Sequence, residues 1–213
     1  PHYFKKYEIL SCQLTDYITI PTIDAIGGYF KEFHSKIRII PQGFDFSKTP
    51  ADKYESNKVI TFSFAGAVYD GKRDPRPFME YLLVSGLEYK FIMYLRSPLE
   101  ERYVVESGGQ IEYRLNYQRR EIIWECSKAD FLINVTNPTA VQSPSKLIDY
   151  GITGRPVLDI STSFDETDKQ RFISFYNGDY SDAHQINVED YRIERIARAF
   201  INLAMEKGEV SNK

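Results

Sequence analysis

Cysteine is scarce in this sequence, and long apolar runs and an excess of basic charge are missing. The two cysteines, Cys12 and Cys126, stand alone in their segments, and no Cys-x-x-Cys spacing that could hold a metal occurs. This usage fits a reducing cytoplasm better than a secreted disulfide framework. No apolar run approaches the roughly 20 residues of a membrane-spanning helix. The formal net charge of -3 argues against non-specific binding to nucleic acid, which needs a basic surface.

The start of the sequence, Pro1 to Lys6, has neither an initiator methionine nor a signal-peptide pattern. We therefore expect the chain to be cut from a longer protein located in the cytoplasm, and peripheral attachment at the inner face of a membrane stays open. The three histidines, His2, His34 and His184, form no evident triad or metal set. We expect structural or surface roles for them.

The composition is that of an ordinary globular protein, with 42% hydrophobic and 27% charged residues. From residue 59 onward, short β-branched or aromatic runs alternate with amphipathic stretches. The pattern predicts strands at 59–65, 89–95, 111–115, 131–135, 156–160 and 170–176, and helices at 75–84, 97–106, 118–129, 145–151 and 188–206. Before a polar linker at 45–58, it predicts an initial helix, a strand at 16–20, an amphipathic helical stretch at 21–33 and a strand at 36–40.

Strands that alternate with helices at this spacing predict an α/β fold, with a Rossmann-like parallel sheet that helices cover on both faces. Ligands in such folds bind beyond the carboxyl ends of the strands, at the point where the strand order reverses. The loops that follow strands are therefore candidate sites, at 66–74, 96–98, 115–118, 136–145 and 161–168.

The loop from Gly66 to Arg73 nearly matches the phosphate-binding loop of nucleotide triphosphatases, G-x-x-x-x-G-K-[ST]. Arg73 stands where the motif needs a serine or threonine for Mg²⁺, and Asp74-Pro75 begins the next helix too late. Both departures argue against a triphosphatase. Gly66, Lys72 and Arg73 remain candidates for contacting a phosphate, and the alternative is a solvated turn with two exposed cations.

A second candidate phosphate site lies where a short helix is predicted to follow a strand and a polar loop. The hydroxyls of Ser143 and Ser145 and the free amides of the first helical turn are typical of an anion site. Lys146 opposes the helix dipole there, so a bound phosphate explains it better than helix stability does. Asp149, one turn further along the same helix face, can accept hydrogen bonds from ribose hydroxyls. The alternative is a plain capped helix with Lys146 and Asp149 in solvent.

Four segments match a set of motifs that belong together. Residues 144–158, Pro-Ser-Lys-Leu-Ile-Asp-Tyr-Gly-Ile-Thr-Gly-Arg-Pro-Val-Leu, match P-S-K-x-x-E-Y-x-x-x-G-x-P-V with one acidic exchange. Residues 39–45, Ile-Ile-Pro-Gln-Gly-Phe-Asp, are similar to I-P-N-G-V-D, and residues 129–130 match A-D. Residues 64–66 with Lys72 match F-x-G…K. Taken in chain order and with their spacing, the four segments resemble the motifs of the GT-B-fold glycosyltransferases of family 4.

The resemblance implies that the chain is the C-terminal, donor-binding part of a two-domain glycosyltransferase. Residues 1–44 would then end the N-terminal acceptor domain, 45–58 would link the domains, and 59–213 would bind the nucleotide sugar. The implied partners are a UDP- or GDP-sugar donor, a glycan or lipid-linked acceptor, as in polysaccharide biosynthesis, and the missing N-terminal domain of the same protein. Without that domain, we expect the chain to bind nucleotide but to transfer no sugar by itself.

The resemblance also implies roles in the donor site. The implied contacts are Lys72, Arg73, Ser145 and Lys146 for the diphosphate, Asp149 for the ribose, and, more weakly, Tyr113 and Leu115 for the base. The family's other glutamate falls at Val141, which cannot bond a sugar hydroxyl, so either Gln142 substitutes for it or the sugar is handled differently. The catalytic residues and the stereochemical outcome are therefore open.

No Asp-x-Asp motif occurs, so we expect no metal and no cofactor besides the nucleotide sugar, which is a substrate. Two other functions fit the same sequence. One is a nucleotide-sugar epimerase of the same architecture, which needs catalytic carboxylates or histidines that the sequence does not identify. The other is a non-catalytic binding or scaffold module, in which the serine and lysine cluster only caps a helix.

Overall fold

The computed structural model describes residues 2–48, 54–136 and 145–210. The predicted phosphate contact Ser143, and the positions Val141 and Gln142, lie outside these ranges. Contacts between Cα atoms divide the chain into two compact units. Within the described residues, the smaller unit contains 2–45 and 188–210, and the larger contains the rest.

The smaller unit begins with helix α1 (His2–Leu14), followed by strands β1 (Ile18–Ile20) and β2 (Ile37–Ile39). The two strands pair in parallel. Two 3-10 helices, Ile23–Gly28 and Lys31–Lys36, connect them. The prediction of one amphipathic helical stretch over 21–33 is therefore wrong, since a glycine pair at its centre has low helix propensity and the first 3-10 helix ends there.

Lys36 caps the C-terminal end of α1. Its Nζ donates hydrogen bonds to the carbonyls of Cys12 at 2.9 Å, Gln13 at 3.0 Å and Thr15 at 2.8 Å. These carbonyls lie at and just beyond the C-terminus of the helix, where intrahelical donors run out and the helix dipole favours a cation. One lysine therefore ties the start of β2 to the end of α1.

The larger unit is built on five parallel strands. They are β3 (Thr61–Ala65), β4 (Lys90–Leu95), β5 (Ile111–Leu115), β6 (Phe131–Val135) and β7 (Val157–Ile160). Their order across the sheet is β5-β4-β3-β6-β7, with every neighbouring pair parallel. The chain therefore builds outward from β3 to β5 and then reverses to the other side of β3, which makes the gap between β3 and β6 the switch point.

Helices cover both faces of this sheet. In chain order they are α2 (Arg76–Val84), α3 (Arg102–Glu106), α4 (Arg119–Cys126), α5 (Ser145–Thr153) and α6 (Glu166–Tyr176). Buried side chains of α2, α3 and α6 pack in one hydrophobic cluster and those of α4 and α5 in another, each against a different face of the strands. This confirms the predicted α/β, Rossmann-like architecture.

Helix α6 corrects a prediction, because residues 170–176 were expected to form a strand. Asp165 caps the helix through its Oδ1, which accepts from the amides of Thr167 at 2.9 Å and Asp168 at 3.0 Å. Phe172 and Phe175, three residues apart, are both fully buried against the sheet. Three-residue spacing places both rings on one helix face, and the cap lies outside the stretch that had suggested a strand.

Helix α3 is shorter than the predicted helix at 97–106, since it begins only at Arg102. Pro98 restricts the residue before it to extended backbone, which disfavours a helix that includes Ser97. The predicted end is confirmed: Gly108 and Gly109 have positive φ angles, and their amides bond to the carbonyls of Val105 and Val104.

Aromatic stacking holds the centre of the sheet. Phe62 on β3 lies opposite Phe91 on β4 and Phe131 on β6. Its ring is stacked on each of the two at a centroid distance of 5.0 Å. Phe78 of α2 and Phe172 of α6 cover this row with edge-on contacts to Phe62 or its neighbours. The three central strands are thereby fixed in register by one row of phenylalanines.

Asp130 ties together the amino ends of β3 and β6. Its carboxylate accepts from the Thr61 amide at 2.7 Å and from Asn57 Nδ2 at 3.1 Å, and it also accepts from the Tyr54 hydroxyl. Burial and the adjacent Asp130 raise the pKa of Tyr54 to about 12. The Ala-Asp pair at 129–130 thus joins the segment before β3 to the start of β6, which is a structural role.

The C-terminal helix α7 (Ile193–Val210) follows a 3-10 turn at Val188–Tyr191, so the helix predicted from 188 begins later. It belongs to the smaller unit. The Phe44 amide bonds to the Tyr191 carbonyl at 2.8 Å, and the Ile193 amide bonds to the Phe44 carbonyl at 3.0 Å. A Cβ on Gly43 would lie 3.3 Å from the Ile193 Cα, so a glycine allows this close approach. None of the described helices has the length and apolar character needed to cross a membrane.

Candidate functional site

A cleft of about 690 Å³ opens at the carboxyl ends of β3, β4 and β5, beside α4 and α5. Gly66, Lys146 and Asp149 all line it, so the structure brings three of the predicted site residues into one cleft. The cleft adjoins the switch point between β3 and β6. This is where doubly wound α/β folds bind their ligands.

Tyr150 of α5 bridges the two strands at the switch point. β3 and β6 pair at Phe62–Phe131 and Ser63–Leu132, near their starts. Further along, the Tyr150 hydroxyl accepts from the Ala65 amide at 2.7 Å and lies 3.2 Å from the Ile133 carbonyl. The hydroxyl therefore satisfies backbone groups that separating strands leave unpaired. It also anchors α5, and with it Lys146 and Asp149, to the end of the sheet.

We expect Tyr150→Phe to lower the free energy of unfolding by about 1–3 kcal/mol, because a buried amide and a carbonyl lose their partner. Urea denaturation monitored by circular dichroism measures the change. Tyr117→Phe is the matched control, since Tyr117 is 40% exposed and its stability should change by less than about 0.5 kcal/mol. Equal losses in the two variants would contradict the bridging role.

Lys146 reaches from α5 across the top of the switch point. Its Nζ lies 4.7 Å from the ring centre of Phe64 on β3 and 5.9 Å from that of Tyr150. Within the described part of the chain, the ammonium has no hydrogen-bond or ion-pair partner. Burial lowers the pKa of Lys146 to about 7, with a further lowering contribution from Arg73 and an opposing one from Asp159. A cation held this way is poised to receive an anion.

The loop after β3 approaches Lys146 through Gly66. This glycine has a φ of +146°, which side-chain-bearing residues rarely adopt. A Cβ there would meet Lys146 Cδ at an ordinary contact distance of 3.7 Å, so conformation, and not space, requires glycine. Arg73, further along the loop, is partly buried and Lys72 is exposed, and neither lines the cleft. The Lys72 carbonyl accepts from Thr162 Oγ1 at 2.7 Å, which ties this loop to the one after β7.

Asp149 is paired with an arginine that sequence reasoning missed. Arg119 Nε lies 3.0 Å from Oδ1 and 3.2 Å from Oδ2 of Asp149, and its Nη2 lies 2.5 Å from Oδ1. Arg119 is the first residue of α4, and both side chains line the cleft. The pair joins two helices whose residues are 30 positions apart in sequence, so no local pattern reveals it.

The far wall of the cleft is formed by residues at and after the carboxyl ends of β4 and β5. Arg114 Nη1 donates to the buried Tyr94 hydroxyl at 3.3 Å and to Glu125 at 3.0 Å. Asn116 has a positive φ of 64°, a conformation that asparagine tolerates better than most residues. Tyr117 packs edge-on against Tyr94. Asn116 and Tyr117 belong to the loop at 115–118 that was predicted to be a candidate site, and Arg114 belongs to the strand before it. None of the three was predicted individually.

The two predicted base contacts lie elsewhere. Tyr113 and Leu115 pack against the aromatic cluster on the other face of the sheet, and neither lines the cleft. Alternation along β5 explains this, because Arg114 between them faces the cleft. Ser145 begins α5, and its side chain lies outside the described ones.

His184 belongs to a polar cluster beside β7. Its Nδ1 lies 2.6 Å from Asp159 Oδ2, and Asn134 Nδ2 lies 2.5 Å from Asp159 Oδ1. The His184 amide bonds to the Val157 carbonyl at 2.9 Å, which covers the edge of the sheet. This agrees with a structural role for His184, and it holds in place the carboxylate that acts on Lys146.

No protein-family model matches the sequence, and no curated protein matches it. Solved structures of low sequence identity share its fold. The apo form of WaaB, a lipopolysaccharide outer core galactosyltransferase, superposes with a TM-score of 0.65 at 12% identity, covering 91% of this chain and 62% of that one. A glycosyltransferase from Rickettsia africae gives 0.62 at 12% identity, covering 100% and 68%. Anabaena Alr3699/HepE in complex with UDP-glucose gives 0.58 at 8% identity, covering 92% and 65%.

The chain therefore has the Rossmann-like fold of GT-B glycosyltransferases, as predicted. It spans less than two thirds of the length of WaaB and of HepE. At these identities the likeness concerns the fold alone, and the activity is a separate question.

Proposed function

We propose that the cleft binds the diphosphate of a nucleotide-sugar donor, and that the chain is the donor-binding, C-terminal part of a family 4 glycosyltransferase. One observation carries this proposal: Lys146 presents a largely buried cation at the switch point of the sheet, and it has no ion-pair partner among the described residues. Holding a cation in this way is unfavourable for the empty protein. A bound diphosphate offsets that cost.

The neighbouring groups suit a diphosphate better than a single carboxylate. Gly66 lets the backbone after β3 come close, Arg73 supplies a second positive charge near Lys146, and α5 begins one residue before Lys146 with its free amides. Fixed positive groups of this kind stabilise the negative charge that develops when a sugar leaves its diphosphate. Lys72 and the serine at 145 remain proposed contributors to the same clamp.

The longer protein is proposed to transfer a sugar from UDP or GDP to a glycan or lipid-linked acceptor, as in polysaccharide biosynthesis. Two of the fold neighbours support this proposal, since one is a galactosyltransferase of the lipopolysaccharide outer core and the other is a protein in complex with UDP-glucose. The acceptor is proposed to bind an N-terminal domain, so the chain alone is proposed to be inactive. We propose that transfer requires no metal ion.

We expect isothermal titration calorimetry of the chain to show binding of UDP or GDP with a dissociation constant below about 1 mM. The corresponding monophosphate, UMP or GMP, should bind about tenfold more weakly, because it leaves part of the cationic site unfilled. Added EDTA should not change either value. If neither diphosphate binds at millimolar concentration, the donor-site proposal is wrong.

Assays of the longer protein with labelled UDP- and GDP-sugars then test the reaction. Transfer moves the label from the nucleotide to an acceptor. Conversion of the sugar while it stays on the nucleotide would instead identify an epimerase.

A further inference from the structure

The structure of the cleft adds Arg119 to the proposed donor site. We infer that Arg119 is a positioning residue, which fixes the carboxylate of Asp149 so that it can accept hydrogen bonds from the ribose hydroxyls of the nucleotide. The inference rests on the proposed function, since it concerns the same cleft and the same ligand. It adds one residue to the site. It also predicts that the site selects nucleotides by their ribose and not only by their phosphates.

Two nitrogens of Arg119 hold the carboxylate of Asp149. Arg119 approaches Asp149 with Nε between the two carboxylate oxygens and with Nη2 on Oδ1. A guanidinium is planar and rigid, so a contact of this kind fixes both the position and the rotation of the carboxylate plane. Arg119 itself is held at the start of α4, where the Glu121 carboxylate accepts from the Gln118 amide at 2.7 Å.

The carboxylate keeps acceptor capacity for a ligand. Two carboxylate oxygens offer about four lone-pair sites, and from the described residues Oδ2 receives only the longer contact of 3.2 Å from Arg119. The Asp149 side chain is 21% exposed and lines the cleft. A ribose presents two adjacent hydroxyl donors, which match what such a carboxylate accepts.

Aspartate needs this support more than glutamate does. A short acidic side chain inside a helix can turn back towards its own backbone instead of reaching for a ligand. Arg119 prevents this from the neighbouring helix. The alternative is an ordinary surface ion pair, which would contribute at most about 1 kcal/mol to stability and nothing to ligand choice. Because Arg119 is half exposed, stability alone cannot separate the two roles, but ligand discrimination can.

The test compares UDP with 2′,3′-dideoxy-UDP, and GDP with its dideoxy analogue, by calorimetry on the chain. For wild type, we expect the ribonucleotide to bind at least about tenfold more tightly than its dideoxy analogue, which corresponds to one charge-assisted hydrogen bond. In Arg119→Ala, the ribonucleotide should lose most of that advantage while the dideoxy analogue binds as before. Arg119→Lys, which keeps the charge without the fork, should lose part of it. Asp149→Asn and the double variant should show the same ratio as Arg119→Ala.

Arg120→Ala is the matched control, since Arg120 is the next residue of the same helix, is exposed and does not line the cleft. It should keep the wild-type ratio. An unchanged ratio in Arg119→Ala would overturn the inference, and tighter binding of the ribonucleotide would overturn it by showing that Arg119 competes for Asp149. If wild type binds both forms equally, the ribose site fails while the nucleotide cleft stands. If wild type binds neither form, the proposed function fails with it.

Discussion

Lys146→Met is expected to weaken the binding of UDP or GDP by about 100-fold. The ammonium lies at the switch point without an ion-pair partner among the described residues, so a bound diphosphate would be its counter-ion. A hydrogen bond between a charged donor and a phosphate contributes about 1.5–3 kcal/mol, and more where water is excluded. At 1.4 kcal/mol for each factor of ten, this range reaches about 100-fold. Calorimetry with the diphosphate that binds wild type measures the loss.

The same substitution is expected to make the empty protein more stable. The pKa of Lys146 falls from 10.5 in the unfolded chain to about 7 in the folded one. The unfolded chain therefore binds this proton more tightly, which destabilises the fold in full below pH 7 and progressively less up to pH 10.5. Methionine fills a similar volume without the charge. At pH 7, we expect a gain of about 1–3 kcal/mol in the free energy of unfolding, which shrinks as the pH approaches 10.5.

If Lys146 serves binding, its replacement by methionine lowers the nucleotide affinity but raises the free energy of unfolding. If it serves packing, the replacement lowers the free energy of unfolding. Urea denaturation at pH 7 and pH 10, together with calorimetry, gives both quantities for the same variant. Lys58→Met is the control, since Lys58 is exposed and lies outside the cleft, and it should change neither. A variant at 146 that loses affinity and stability together would indicate that Lys146 serves packing.

The sheet could be predicted well because its strands are short, continuous apolar runs. β5 and β6 begin and end where predicted, and the other three strands of the larger unit begin at most two residues later. Burial on both faces imposes such runs. Helices were less predictable. α6 contains aromatic residues that also suit a strand, and only the spacing of Phe172 and Phe175 with the cap at Asp165 decides between the two.

The site could be predicted in part. Gly66 follows a strand, and Lys146 and Asp149 lie in the first two turns of a helix, so topology brings them to one edge of the sheet. The structure places all three in one cleft. The partner of Asp149 could not be predicted, because Arg119 comes from another helix and contacts it only through the packing of α4 on α5. The segment at 144–158 includes Tyr150, but the sequence does not reveal that the Tyr150 hydroxyl joins β3 to β6.

Nucleotide binding is expected to depend steeply on pH through Lys146. In the empty protein this lysine is half charged near pH 7. A bound diphosphate favours the charged form and raises the pKa, so binding above pH 7 takes up a proton. The charged fraction falls from about one half at pH 7 to about one hundredth at pH 9, so the affinity should fall roughly 50-fold over that interval. Below pH 7 the charged fraction rises from one half towards one, so this lysine adds at most about a further twofold.

Among the described residues, the charged and titratable groups beside Lys146 are Arg73, Tyr150 and Asp159. Arg73 contributes to lowering the pKa of Lys146, and burial raises the pKa of Tyr150 well above its ordinary value. Asp159 is a carboxylate engaged by Asn134 and His184. The last ionisation of the nucleotide phosphate lies near pH 6, below the range used.

Calorimetry at pH 7, 8 and 9, in buffers of different ionisation enthalpy, gives both the affinity and the number of protons taken up. At pH 8, wild type should take up nearly one proton and Lys146→Met none. A wild-type affinity that stays constant from pH 7 to pH 9 would show that the Lys146 ammonium does not meet the diphosphate.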